Sequence, residues 1–230
     1  MKKTINNNNC KKQALIALLL LLPMPIIGVL CSFYVPSFGK VVWAIAKIWL
    51  LVFPVTWLFF VDKDRLSWSL SSKRGVLAGL LWSIPVSGII LGTYWFAGDS
   101  LVDANAKAKI DELGITSPWV FLLFAVVMSL VNSLMEEYVW RWFVFSKFKV
   151  LIGAKLAIVC SAFFFTLHHI VIMWNFGSFQ LVLIGSLGLF LGAIIWGWLY
   201  QKYNSIWPGW ICHVFADAVI MWIVWQVIAG

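Results

Sequence analysis

The chain has 230 residues, of which 63% are hydrophobic and only 11% are charged, and its formal net charge is +8. In soluble domains about a quarter of the residues are charged, so this composition excludes an ordinary soluble protein. It predicts an all-α, polytopic transmembrane helix bundle. The long apolar runs are continuous instead of alternating at period two, which argues against a transmembrane β-barrel.

Seven stretches reach the length of about 20 apolar residues that a membrane span needs. The predicted spans are residues 13–34, 41–61, 75–97, 118–145, 155–173, 179–200 and 205–228. Before them, Asn6 to Asn9 predict a short disordered polar tail. The loop from Ser100 to Ser117 has the pattern of a short interfacial helix. Ser117 and Pro118 then predict the start of the fourth span, with proline at the first helical position.

Basic residues are concentrated in alternate loops. They precede the first span, separate the second from the third and the fourth from the fifth, and follow the sixth: Lys2, Lys3, Lys11, Lys12, Lys63, Arg65, Lys73, Arg74, Lys147, Lys149, Lys155 and Lys202. Positive residues mark the cytoplasmic side of a membrane. The pattern predicts a cytoplasmic N-terminus and an external C-terminus, with the protein in the plasma membrane. Topology accounts for the positive charge, so no nucleic-acid partner is needed.

The fourth span contains three charged residues, Glu136, Glu137 and Arg141. A charge at the centre of a bilayer costs roughly 2.5–3.5 kcal/mol on insertion scales. Glu137 precedes Arg141 by one helical turn, which favours an ion pair within the helix. Glu136 is turned about 100° away and is free to face other spans. It belongs to a polar stripe with Ser129, Asn132, Ser133 and Trp140. Snorkelling toward the interface is the alternative for these charges.

All three histidines, His168, His169 and His213, lie in apolar stretches, and Asp217 follows His213 on the same helix face. With Glu136 they can meet in a cavity that opens toward the cytoplasm. A carboxylate beside imidazoles can act as a general base on water, while two histidines and a carboxylate are also a catalytic zinc set. Proton-coupled transport uses similar residues, but the sequence has no inverted repeat and no paired broken helices.

Three short motifs follow one another on three predicted spans: Glu136-Glu137-x-x-x-Arg141, Phe165-x-x-x-His169 and His213-x-x-x-Asp217. Together, over residues 118–225, they resemble the CPBP family, the CAAX protease and bacteriocin-processing group of intramembrane peptidases, which includes the type II CAAX prenyl proteases. The resemblance implies a catalytic membrane core over residues 118–228. Residues 1–117 then supply N-terminal spans and loops of one integrated domain.

The resemblance implies an endopeptidase that hydrolyses a peptide bond in a membrane-associated protein or peptide. Glu136 becomes the base that activates water, Glu137 and Arg141 become its supporting pair, and His169 joins Glu136 at the water. If a divalent metal such as Zn²⁺ is bound, its expected ligands are Glu136, His169 and His213; the alternative is a site without any cofactor. A non-catalytic scaffold or bacteriocin-immunity protein of the same fold is the alternative function.

The second motif can be placed in two registers. Phe164 and His168 satisfy its spacing as well as Phe165 and His169 do. The family usually has a small residue after the phenylalanine, and Thr166 fits that position. We therefore expect His169 to be the site histidine.

The third motif departs from the prenyl proteases at its end. Asp217 stands where they have asparagine. With His213 it is expected to complete the site. An ionised aspartate only accepts hydrogen bonds, so an oxyanion-binding role for Asp217 does not follow from the resemblance.

Overall fold

The computed structural model describes residues 7–63, 69–101, 110, 114–115 and 117–229. The described helices are α1 (Asn7–Leu21), α2 (Pro23–Tyr34), α3 (Gly39–Trp57), α4 (Lys73–Leu101), α5 (Pro118–Val126), α6 (Ser133–Glu136), α7 (Phe145–Ile152), α8 (Ala154–Phe176), α9 (Phe179–Tyr203) and α10 (Trp207–Ala229). Three π-helical segments extend or join them: Leu58–Asp62 after α3, Val127–Asn132 between α5 and α6, and Glu137–Val144 between α6 and α7.

The predicted all-α bundle with seven spans is confirmed. Within the described residues, seven helical segments are long and apolar enough to cross a membrane. They are numbered here as spans 1 to 7: Asn8–Tyr34, Gly39–Asp62, Lys73–Gly98, Pro118–Ile152, Ala154–Phe176, Phe179–Tyr203 and Trp207–Ile228. The chain is therefore an integral membrane protein, and its orientation and the identity of the membrane stay predictions.

Two boundaries differ from those expected. Helix α1 begins at Asn7, so the disordered tail predicted over Asn6 to Asn9 is wrong from Asn7 onward. Span 4 continues to Ile152 instead of ending near residue 145. The reason is that Lys147 is buried and paired with Asp62 at the end of span 2, so this basic segment packs as helix. Most of the predicted interfacial helix between spans 3 and 4 lies outside the described residues.

Prolines lie inside three of the spans, and one of them divides its span into two helices. Pro23 starts α2 directly after α1, so span 1 consists of two helices. Pro54 lies inside α3 and Pro85 inside α4, and both helices continue past them. Membrane helices tolerate such prolines because neighbouring groups satisfy the freed backbone carbonyls.

Span 4 lies in the middle of the bundle and contacts spans 1, 2, 5, 6 and 7. Around it, spans 1 and 2 pack together, span 3 packs on span 7, and span 5 packs on span 6. The buried core receives side chains from six spans, among them Leu21, Phe53, Val144, Phe165, Trp196 and Cys212. The charged motif of span 4 is thus placed where three C-terminal spans converge.

Candidate active site

The two glutamates of span 4 lie at a change in helix geometry. Glu136 ends a single α-helical turn, and Glu137 begins the π-helical segment Glu137–Val144. π-Helical turns are rare and are often found at functional sites. On the predicted polar stripe, the Nδ2 atom of Asn132 donates a hydrogen bond of 2.8 Å to the Oε1 atom of Glu136. The carboxylate of Glu136 is almost fully buried, as is that of Glu137.

The ion pair predicted within span 4 is present. The Nη1 atom of Arg141 lies 3.3 Å from the Oε1 atom of Glu137, and both side chains are buried. The guanidinium also lies between two aromatic rings, 4.8 Å from the centroid of Phe165 and 5.0 Å from that of Trp196. A buried charge is tolerated when it is paired, and the cation–π contacts stabilise the guanidinium further.

His213 of span 7 joins the two glutamates. Its Nδ1 atom lies 3.1 Å from the Oε1 atom of Glu137. Because an ionised carboxylate only accepts hydrogen bonds, Nδ1 carries a proton and donates this hydrogen bond. The Nε2 atom then faces the opposite way, 3.6 Å from Oε2 of Glu136 and 3.6 Å from Oδ1 of Asp217. The ring stacks on Trp196 with 3.8 Å between centroids. Packing and hydrogen bonding thus fix the ring orientation.

His169 of span 5 faces Glu136 from another direction. Its Nδ1 atom donates to the carbonyl oxygen of Phe165 at 3.0 Å, because a carbonyl oxygen only accepts. The Nε2 atom points to the site and lies 3.9 Å from Oε1 of Glu136. His168 instead stacks on Trp140 with parallel rings, 5.6 Å between centroids. His169 is the histidine whose Nε2 nitrogen is aimed at Glu136.

The residues that could hold a metal differ from the expected set. Among the described residues, Glu136, His168 and His169 each offer a ligand atom, and these atoms lie within 4.8 Å of one another. The set expected from the sequence, Glu136, His169 and His213, stays a prediction. The Nε2 atom of His213 instead lies equally far from two carboxylates, those of Glu136 and Asp217. Two imidazoles and one carboxylate are donors that suit zinc, so the cluster fits such an ion.

Two residues of the site were missed by sequence reasoning. Lys47 of span 2 donates from Nζ to the Oδ1 atom of Asn132 at 2.9 Å. An ionisable residue inside a span is a functional candidate by default, so this lone lysine could have been found. Gly209 of span 7 lies so close to Glu137 that a Cβ atom there would be 2.6 Å from its Oε2 atom. No local pattern indicates that approach, because it depends on how spans 4 and 7 pack.

Fold and site together are those of a polytopic membrane protein that buries a cluster of carboxylates and imidazoles, groups that can activate water. Residues 118–219 match the family model described as type II CAAX prenyl endopeptidase Rce1-like. This segment is therefore similar to the CAAX protease family, and the resemblance drawn from the three motifs is confirmed. The comparisons with curated proteins and with solved structures find no match.

Proposed function

We propose that the protein is a CAAX-type intramembrane endopeptidase, which hydrolyses a peptide bond in a membrane-associated protein or peptide with water activated by Glu136 and His169. One observation carries this proposal. Within the segment that matches the family model, the two carboxylate oxygens of Glu136 face the Nε2 atoms of two histidines, at 3.9 Å for His169 and 3.6 Å for His213.

The distance between Glu136 and His169 suits a bound water molecule. A separation of 3.9 Å is too long for a direct hydrogen bond, but a water between the two atoms can bond to both. Such a water donates one hydrogen to Oε1 of Glu136 and the other to Nε2 of His169. Glu136 then takes a proton as the oxygen attacks the substrate carbonyl carbon, and it passes that proton to the leaving amine nitrogen as the C–N bond breaks.

His213 is suited to stabilise the negative charge of the tetrahedral intermediate. With a proton on both nitrogens, its Nε2–H can donate to the oxyanion, while Nδ1–H stays bonded to Glu137 at 3.1 Å. The carboxylates of Glu137 and Asp217 lie next to this ring and favour the imidazolium form during the reaction. An ionised Asp217 cannot donate a hydrogen bond to the oxyanion, so we assign this role to His213, which precedes it by one helical turn.

The donor set also allows a metal-dependent variant of the same function. If a divalent metal such as Zn²⁺ binds, Glu136, His168 and His169 would hold it, and the ion would supply Lewis-acid activation of water.

Elemental analysis of the purified protein distinguishes a metal-dependent site from a metal-free one. Stoichiometric zinc that is lost in both His168→Ala and His169→Ala supports a metal centre. An active enzyme that contains no stoichiometric metal and resists chelator supports a site that works through Glu136 and His169 alone.

The proposal is tested by comparing membrane fractions that contain wild-type protein or its Glu136→Gln variant at equal abundance. Proteomics that maps new peptide termini should find cleaved membrane-associated substrates with the wild type only. Identical terminus profiles would contradict an endopeptidase. A cellular effect that persists in Glu136→Gln would favour the scaffold or immunity function, and one that depends on a proton gradient would favour transport.

A further inference from the structure

Lys47 connects the N-terminal half of the chain to the proposed general base. It lies about two turns into α3 and donates from Nζ to Oδ1 of Asn132 at 2.9 Å. Asn132 in turn donates from Nδ2 to Oε1 of Glu136 at 2.8 Å. We propose that Lys47 is a positioning residue, which holds the carboxylate of Glu136 in its reactive orientation through Asn132. The inference rests on the proposed function, and Lys47 lies outside the segment that matches the family model.

The chemistry of the three groups leaves the Asn132 amide a single orientation. An ammonium has only donors, and an ionised carboxylate has only acceptors. The amide must therefore present its oxygen to Lys47 and its NH₂ group to Glu136. Without Lys47, the amide can rotate by 180° and place its oxygen against Oε1 of Glu136, where two acceptors repel each other. Lys47 thus excludes the amide rotamer that would push the carboxylate out of place.

The indirect contact also explains why a lysine can lie here without blocking the base. In the described part of the chain, the ammonium of Lys47 has the Asn132 amide as its hydrogen-bond partner, and the ring of Trp43 lies 5.6 Å away. A direct ion pair with Glu136 would make the carboxylate a weaker base, and this carboxylate has to take a proton. The intervening amide transmits polarisation along the hydrogen-bonded chain, while Glu136 stays open toward His169 and His213.

The kinetic test uses Lys47→Met, Lys47→Arg, Asn132→Ala and the double variant Lys47→Met/Asn132→Ala. The hydrogen bond of Lys47 to Asn132 involves a charged donor, so Lys47→Met should lower kcat by about tenfold or more with KM unchanged. Lys47→Arg, which keeps the donor, should recover part of the loss. The double variant should be no slower than Asn132→Ala, because both changes break one chain of contacts.

The matched control is Lys40→Met, which removes an exposed lysine from the same helix, two turns earlier. It should leave kcat as in the wild type. Equal kcat values for Lys47→Met and Lys40→Met would overturn the inference. So would additive losses in the double variant, because a purely structural role of Lys47 would not depend on Asn132.

Infrared spectroscopy tests the same contact without requiring activity. The carboxylate stretching band that disappears in Glu136→Gln identifies Glu136. This band should shift in both Lys47→Met and Asn132→Ala and stay unchanged in Lys40→Met. An unshifted band would overturn the inference even in an active enzyme. If the band shifts in both variants while the wild type cleaves no substrate, the Lys47 contact is supported and the proposed function is rejected, so the two failures are distinguishable.

Discussion

The two neighbouring carboxylates of span 4 differ in the kind of partner that they face. Glu137 is enclosed by Arg141 at 3.3 Å and by the Nδ1 atom of His213 at 3.1 Å. Glu136 has one direct hydrogen bond, from Asn132, and its histidine neighbours stand 3.6 and 3.9 Å away. We therefore propose different purposes for these adjacent residues of one type: the Glu137 region holds the helices together, and the Glu136 region keeps a base available for water.

The largest expected effect is on the Glu136 side. Glu136→Gln should abolish measurable hydrolysis, a loss of about 10²–10⁴-fold or more, because the amide keeps the size of the side chain but cannot take a proton. The protein should remain folded, since glutamine can still accept from Asn132. Hydrolysis by the purified variant, compared with its elution in size-exclusion chromatography, measures both expectations. Full activity of a folded Glu136→Gln protein would contradict the assignment of Glu136 as the general base.

The tandem histidines give the next largest contrast. His169→Ala should lower kcat by about 10²-fold or more, because its Nε2 atom is aimed at Glu136. His168→Ala should act through stability, since its ring packs against Trp140. The measurement is the rate of substrate hydrolysis per folded molecule for each of the two variants. An active His169→Ala with an inactive His168→Ala would show that the second motif has the other register, and inactivity of both with loss of bound zinc would identify the metal-dependent form.

Sequence reasoning succeeded where local spacing decides the structure. Hydropathy gives the seven spans because each must be about 20 apolar residues long by itself, and the ion pair of Glu137 with Arg141 follows from one helical turn. The approach of Lys47 to Asn132 and the proximity of Gly209 to Glu137 involve residues far apart in the chain. They depend on how helices pack, and neither periodicity nor composition reports that.

Some expectations remain predictions after the structure. The geometry supports the chemical roles that we assign to six residues, and these roles stay predictions: Glu136, Glu137, Arg141, His169, His213 and Asp217. The metal set illustrates the limit of motif reasoning. Residue types predicted Glu136, His169 and His213, while Glu136, His168 and His169 form a second candidate set, whose ligand atoms lie within 4.8 Å of one another. Which ligands converge is decided by the rotation of each span, which the sequence does not reveal.

The Glu137 side should respond in stability more than in chemistry. Glu137→Gln leaves the guanidinium of Arg141 buried without its counter-charge, and breaking a buried pair costs about 3–5 kcal/mol. The free energy of unfolding in detergent, from denaturant titration, should fall by that amount, whereas Glu136→Gln should change it little. Equal stability losses for the two variants would contradict the division of roles between the two carboxylates.

The smallest expected effect comes from adding a single methyl group next to Glu137. In Gly209→Ala the new Cβ atom would lie 2.6 Å from Oε2 of Glu137 and 3.5 Å from the Cβ atom of Trp196. The carboxylate cannot simply move away, because Arg141 and His213 hold its other oxygen.

Overpacking of this kind costs about 1–3 kcal/mol, so the unfolding free energy of Gly209→Ala should fall within that range. The displaced Glu137 should also disturb the orientation of His213 and lower kcat. Gly188→Ala is the matched control, because a Cβ atom at that glycine of span 6 meets no atom within 4 Å. Its stability should equal that of the wild type or exceed it slightly, since alanine is the better helix former. If both alanines were equally harmless, spans 4 and 7 would not approach each other as closely as the enclosed Glu137 region requires.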